Sequence, residues 1–273
     1  MSGGARSQPG PLPPSLVDAH VHLYSMYDRE RFLRAAWTNF ERAREQLGLA
    51  EADYVLCFTE DACHDVFREL ATSGRAGSIE ICATEEEEAL SVPLGARRLH
   101  LIAGRQILTA EGLELLALAT RTRIPDGVSL ADGLARARAA GAVPVVPWAF
   151  GKWWGKRGAV LHAALAEEDP PDLGDNSARP SLLADPEAFR RARARGRAVL
   201  PGTDPLPLRG HEVRAGSYGF VLESGLSSTH PARDLVAALR ALPGPPRRFG
   251  RRVGPVEFVR DQVALRLRKD RAT

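Results

Sequence analysis

Two histidines one residue apart, His20 and His22, stand near the end of the apolar run from Val17 to Leu23. In an extended strand, side chains two apart share a face. The spacing therefore sets two imidazoles side by side where a strand opens into a loop. Neutral imidazoles suit borderline divalent ions such as zinc, manganese or iron, and such a site needs a carboxylate from elsewhere in the chain. Asp204, in Pro201-Gly-Thr-Asp204-Pro, is the candidate, because it follows a second apolar stretch and is held between a glycine and a proline. An ion bound by His20, His22 and Asp204 would acidify a water toward neutrality for attack on a substrate. Asp204 could also accept a proton from that water. The bland alternative is a strand with two incidental histidines and an aspartate that bonds its own turn.

These residues need elements to hold them. Asp28 to Leu47 carries Leu33, Ala36, Trp37, Phe40, Ala43 and Leu47 at helical spacing, an amphipathic helix. Ala52 to Phe58 is an apolar strand, and Ala62 to Ala71 is expected to be the helix after it. Further strands are expected at Ser78 to Thr84, Arg98 to Ile107, Leu113 to Thr120, Ala142 to Pro147, Leu173 to Ser177, Arg197 to Pro201 and Tyr218 to Glu223. The pair around Glu111-Gly112 reads as a hairpin. Helices are expected at Ser129 to Ala140, from Gly158 to about Ala166, and at Asp185 to Arg195, Pro231 to Leu242 and Pro255 to Arg268. Strands alternating with helices predict an α/β fold with a mainly parallel sheet. Seven or eight short strands predict closure into a single-domain distorted (β/α)7-8 TIM-like barrel, with residues 1–14 a disordered leader and 15–273 the barrel.

In such barrels the working residues sit at the C-terminal ends of strands. The polar residues expected there, besides His20, His22 and Asp204, are Glu60, Asp61, Arg105, Gln106, Lys152, Asp175 and Asn176. Glu60 could add a metal ligand, and Glu60 or Asp61 could move protons. The loop from Trp148 to Gly158 holds three of the four tryptophans with Phe150, Lys152, Lys156 and Arg157. It reads as a lid in which Trp148, Lys152 and Trp153 clamp an anionic or aromatic substrate, with Arg105, Gln106 and Asn176 completing the substrate contacts. The competing reading has the tryptophans simply covering one end of the fold.

The 273 residues are 44 % apolar and 26 % charged, ordinary for a globular protein. No apolar run is long enough to span a bilayer, and Met1 to Pro14 has no apolar core of the signal-peptide kind. Three cysteines without a C-x-x-C spacing read as reduced thiols, so a cytoplasmic setting is expected. Net charge is +3 with arginine clusters at Arg190 to Arg197 and Arg247 to Arg252. Neither interleaves with aromatics as single-strand binding requires, so a solvated surface is expected rather than a nucleic-acid partner. A G-x-S-x-G elbow and a P-loop are both absent.

The motifs together resemble the polymerase and histidinol phosphatase (PHP) metal-dependent hydrolases, distorted seven-stranded α/β barrels, and more distantly the amidohydrolases. Asp18-Ala-His20-Val-His22 resembles their opening D-x-H-x-H. Phe58-Thr-Glu60-Asp61 falls where the family has T-D-H, and Ala103-Gly-Arg-Gln106-Ile where it has G-x-E-I. Pro147-Trp148 falls at H-P-F, Asp175-Asn176-Ser at E-x-x-N, and Gly-Thr-Asp204-Pro-Leu206 at G-S-D-A-H. The resemblance implies a small-molecule hydrolase acting on an anionic ester, amide or phosphoester. The departures imply a reduced site: Asp61, Trp148 and Leu206 replace histidines, and Gln106 replaces a metal-bridging glutamate. What remains suffices for one divalent ion on His20, His22, Asp204 and Glu60. The alternative it implies is a catalytically degenerate member that binds a ligand or regulates.

Overall fold

A computed structural model describes residues 12–95 and 97–270, with side chains up to Arg268. The expected leader thus lies outside the described residues as far as residue 11. Pro14 is already anchored, its carbonyl accepting the Asp53 N–H.

The chain begins as its pattern dictates, with β1 (Ser15–Val21), α1 (Arg29–Leu47), β2 (Asp53–Phe58) and α2 (Val66–Ser73). Every residue of β1 and β2 is buried, as a strand covered on both faces requires. Helix α1 starts where the Asp28 carboxylate accepts the Arg31 N–H, and it buries Phe32, Leu33, Ala36, Phe40 and Ala43. Short strands follow, β3 (Arg75–Ala76), β4 (Ile79–Glu80) and β5 (Cys82–Ala83), then β6 (Ala89–Leu94) and β7 (Arg97–Ile102). The middle of the chain gives β8 (Gly104–Leu108), β9 (Glu114–Leu118), α3 (Leu130–Ala139), β10 (Val143–Pro147), α4 (Gly155–Ala164), β11 (Asp172–Asn176), α5 (Glu187–Ala194) and β12 (Val199–Gly202). A 3₁₀ turn at His211–Arg214 leads to β13 (Tyr218–Leu222), α6 (Pro231–Arg240), β14 (Arg248–Gly250) and α7 (Pro255–Asp270).

The expected TIM-like barrel is not what these strands build. They form a seven-stranded sheet in the order β14-β13-β1-β2-β7-β6-β5, a five-stranded sheet in the order β12-β11-β10-β9-β8, and the β3-β4 pair. None of these sheets closes on itself. Parallel pairing holds for β1-β2-β7 and β10-β11-β12, but β13, β14, β5, β6, β8 and β9 are joined antiparallel. The apolar stretch expected as one strand, Arg98 to Ile107, is broken at Ala103: its first part belongs to one sheet and its second to the other. The protein is therefore a multi-sheet α/β fold.

The two large sheets meet at two seams, and both seams position functional residues. Along one, the Asp204 N–H donates to the His20 carbonyl at 2.8 Å, bringing the end of β12 against β1. A Cβ at Gly202 would lie 2.5 Å from the His20 nitrogen, so only glycine permits that approach. Along the other, the Glu60 N–H donates to the Gly104 carbonyl and the Gln106 N–H to the Glu60 carbonyl. A Cβ at Gly104 would lie 2.4 Å from the Phe58 carbonyl oxygen, which fixes glycine there too. Between the sheets, Val17, Val55, Leu116, Leu118, Val145, Leu200 and Phe220 form an interior cluster that reaches Leu235 and Leu239 of α6. Separate apolar layers lie under α1–α2 and under α3–α5.

His100 of β7 is fully buried, and both of its ring nitrogens lack a partner. Burial, with Arg98 nearby and Asp234 opposing, pushes it down to about 4. An unfolded chain takes up that proton near pH 6.5, so stability falls as pH drops from there toward 4. Replacement by leucine is expected to remove a loss of about 2 kcal/mol at pH 5. Urea midpoints of wild type and His100→Leu at pH 7.5 and pH 5 check this; parallel acid losses in the two would refute it.

Candidate metal centre

His20 and His22 do converge as their spacing dictates. Their Nε2 atoms are 3.1 Å apart, and each lies 3.5 Å from Asp204 Oδ1. These three residues are the one group of histidine, cysteine and acidic side chains with metal-ligand spacing among the described residues. Neighbouring ligands around an ion with bonds of about 2.1 Å stand about 3.0–3.4 Å apart, so the donor set suits a divalent cation. Both rings are buried. Burial pushes each imidazole down to about 4, so both offer lone pairs at neutral pH. Burial also pushes the Asp204 carboxyl up to about 6, while 18 % of that side chain remains exposed. Asp204 is thus the most exposed of the three side chains.

Asp204 has φ +47°, in the left-handed region that non-glycine residues seldom adopt. Three contacts impose it. Its N–H bonds the His20 carbonyl, the preceding Thr203 is bound by Asp18, and Asn176 Nδ2 donates to Asp204 Oδ2 at 3.0 Å. The same Asn176 nitrogen donates to the Trp148 carbonyl at 2.7 Å. Asn176, expected to touch substrate, instead orients the Asp204 carboxylate of the candidate site. Such partners typically change metal affinity about 10–100-fold, so Asn176→Ala is expected to weaken zinc binding about tenfold. A competition titration against a chromophoric chelator reads this, and unchanged affinity would contradict the role.

Glu60, expected as a fourth ligand, lies outside the cluster. Its Oε1 accepts the Phe67 N–H of α2 at 2.9 Å, and its Oε2 is 3.4 Å from Arg105 Nη1. Helix α2 begins at Val66, four residues later than expected, and the intervening turn lets Glu60 bond its backbone. Arg105 is likewise committed, to Glu60, the His64 carbonyl and Asp65. Asp61 Oδ1 pairs with His64 Nδ1 at 2.6 Å and accepts the Cys63 N–H. Burial pushes its carboxyl up, but those two bonds outweigh it and leave Asp61 below its ordinary range. Glu60, Asp61, Arg105 and Gln106 line a half-open cavity of about 220 Å³, with Arg123, Ile124 and Pro125 also on its wall.

The aromatic loop is arranged differently from a lid. Trp148 and Trp153 are buried in the apolar layer under α3–α5, Trp153 edge-on to Phe189. Phe150 and Trp154 are the exposed aromatics, packed edge-to-face on each other, with Phe150 also against Phe258 of α7. Lys152 binds Glu114 at 2.6 Å, and both charges act on Asp204: Lys152 favours its carboxylate while Glu114 opposes it. Two neighbours of the centre escaped the sequence reading. Tyr24 stacks on His22 at 5.4 Å between ring centroids and meets His64 edge-on at 5.8 Å. Glu114 opens β9 on the alternation that carries Leu116 and Leu118 into the interior, a period-two signal that could have placed it.

Among the described residues no helix is long and apolar enough to cross a membrane. No family model matches the chain, and no curated protein matches it. Its fold is similar to that of PsfC from Pseudomonas syringae PB-5123, known from a crystal structure, with a TM-score of 0.54 and 14 % identity over 96 % of this chain and 100 % of that one. At that identity the likeness speaks for a shared fold alone.

Proposed function

We propose that this chain is a metal-dependent hydrolase that uses one divalent ion, zinc, manganese or iron, on a small anionic ester, amide or phosphoester. The observation that carries the reading is the convergence of His20 Nε2, His22 Nε2 and Asp204 Oδ1 in one cluster, with Asp204 partly exposed. The motif resemblance to the PHP hydrolases around Asp18-Ala-His20-Val-His22 and Gly-Thr-Asp204 supports it as well. An ion held there supplies Lewis acidity and a water acidified toward neutrality. The chain's own residues do the rest. Asn176 holds the Asp204 carboxylate in place. The Asp61–His64 pair, across Tyr24 from His22, is placed to take or give a proton at the substrate. The cavity of about 220 Å³ beside Gln106 admits only a small group, with Arg123 at its wall.

A second reading, a ligand-binding protein without turnover, draws on the engagement of Glu60 with α2 and Arg105, which leaves three protein ligands. One experiment separates the two. Hydrolysis of a panel of p-nitrophenyl esters and phosphoesters is measured before chelation, after chelation and after zinc, manganese or iron is returned. Activity lost and restored in step with bound metal is expected. Tight metal binding with no turnover across the panel would favour the second reading, and no bound metal would sink the first.

A further inference from the structure

We propose that the arginine cluster from Arg247 to Arg252 builds a second ligand site, which takes the diphosphate group of a small molecule. Arg251 and Arg252 form a wall shared by two adjoining clefts, one of about 470 Å³ and one of about 570 Å³. Arg42 of α1 and Arg214 of the 3₁₀ turn line the first, and Arg248 of β14 lines the second. Neither His20, His22 nor Asp204 lines either cleft, so the proposal stands apart from the metal reading.

The two arginine clusters of the chain differ in how their charge is met. In the first, Arg191 pairs with Glu187 at 2.7 Å, Arg193 with Asp185 at 2.9 Å and Arg197 with Asp172 at 3.3 Å. In the second, little is neutralised. Glu257, the one acidic residue lining either cleft, is held by Arg214 at 2.7 Å, and Arg214 also binds Asp261. Arg248 lies 3.6 Å from Asp175 Oδ2, an oxygen already held by Arg179 at 3.0 Å and the Tyr218 hydroxyl at 2.9 Å. Arg252 reaches only the Ser181 and Leu183 carbonyls, each at 3.4 Å. Among the described residues, Arg42, Arg251 and Arg252 pair with no carboxylate. Like charges gathered in a concave surface repel one another until an anion enters.

The backbone fixes this wall. The Val253 N–H donates to the Ser177 carbonyl at 2.8 Å, and its carbonyl accepts the Ser181 N–H at 3.0 Å. Gly250 has φ +73°, and a Cβ there would collide with the Ser217 carbonyl oxygen, so glycine lets the turn that carries Arg251 close against Ser217. Guanidinium forks match phosphate oxygens two at a time. A single carboxylate would satisfy one of them, whereas a diphosphate spreads several charges over two centres that the adjoining clefts can divide. The one aromatic lining either cleft, Tyr218, is buried with its hydroxyl on Asp175. It offers no open face on which a base could stack, which favours recognition of the phosphates over a nucleic-acid strand.

The test is isothermal titration of the full chain with inorganic pyrophosphate and with ADP, after metal has been stripped so that no ion draws the phosphates. Saturable binding of pyrophosphate at a single site is expected. Arg251→Ala with Arg252→Ala should weaken it at least about tenfold, since hydrogen bonds to charged groups are lost. Arg190→Ala with Arg191→Ala removes the same charge from the other cluster and should leave affinity unchanged. If the first double variant does not fold, as circular dichroism would show, Arg42→Ala makes the comparison from the exposed face of α1. ADP binding alongside pyrophosphate marks a diphosphate ester as the occupant, and pyrophosphate alone marks the free anion; either supports the proposal. Absence of saturable binding, or equal weakening in the control, would overturn it. Duplex DNA held more tightly than either probe by the same arginines, with affinity falling steeply in salt, would overturn it in favour of a nucleic-acid surface.

Discussion

Replacing His20 and His22 together by alanine is expected to take bound metal from near-stoichiometric to background while the fold persists. Structural zinc sites bind with about 10–16 kcal/mol shared over four ligands, a few kcal/mol each, so deleting two should lower affinity at least about a thousandfold. What stays behind, Asp204 with its Asn176 partner, is a lone carboxylate with no imidazole to share the ion. The backbone at this point is secured independently of the rings: β1 is paired to both β2 and β13, and the His20 carbonyl, not its side chain, receives the Asp204 N–H. His64→Ala is the control, since His64 lies outside the three-residue cluster and should leave metal content unchanged. Elemental analysis of protein purified without chelator, beside a circular dichroism spectrum, reads both. Metal retained by the double variant would place the ion elsewhere or nowhere.

The parts of this centre that could be read in the sequence are those fixed by local geometry. The i, i+2 spacing of His20 and His22 needs only an extended backbone to bring the rings together, and the all-buried run of β1 supplied it. Asp204 was marked by its Gly-Thr-Asp-Pro turn, which became a left-handed residue at a seam. The misreadings share a different cause. Whether a strand-end side chain faces the centre or the opposite layer depends on where a helix starts and how two sheets meet, and neither is local. Glu60 is held back because α2 starts at Val66 and offers the Phe67 N–H. Trp148 lies on the outward alternation with Val146, so the aromatic composition that suggested a lid served an apolar layer. The barrel failed for the same reason. Alternating strands and helices do not reveal that the stretch from Arg97 to Leu108 changes sheets at Ala103, or that β8 and β9 pair as an antiparallel hairpin. The sheets approach through the backbone at Gly104 and Gly202, where the informative feature is a missing side chain.

Asp18→Ala should be the most damaging single substitution near the centre, although Asp18 belongs to no ligand set. Its carboxylate is fully buried and receives the Thr203 N–H at 2.8 Å, the Thr203 hydroxyl at 2.5 Å and the Gly216 N–H at 2.9 Å. Burial pushes this carboxyl up to about 7, and those donors together with the His20 N–H pull the other way. One side chain of β1 thus ties down the residue before Asp204 and the turn that leads into β13. Alanine would strand these four donors in the buried interior. Each orphaned donor costs about 1–3 kcal/mol; with partial relaxation the sum should be about 4 kcal/mol, enough to lower the melting temperature by about 10 °C in a chain of this size. Asparagine retains one acceptor oxygen but turns an amide N–H toward donors, so it should recover only part of the loss. Thermal unfolding of Asp18→Ala and Asp18→Asn with metal chelated isolates this from ligand loss. Because Thr203 fixes Asp204, zinc affinity should also fall in whichever variant still folds. A melting temperature within about 2 °C of wild type for Asp18→Ala, less than the shift expected from even one stranded donor, would mean that the seam between β1 and β12 is held by its backbone contacts alone.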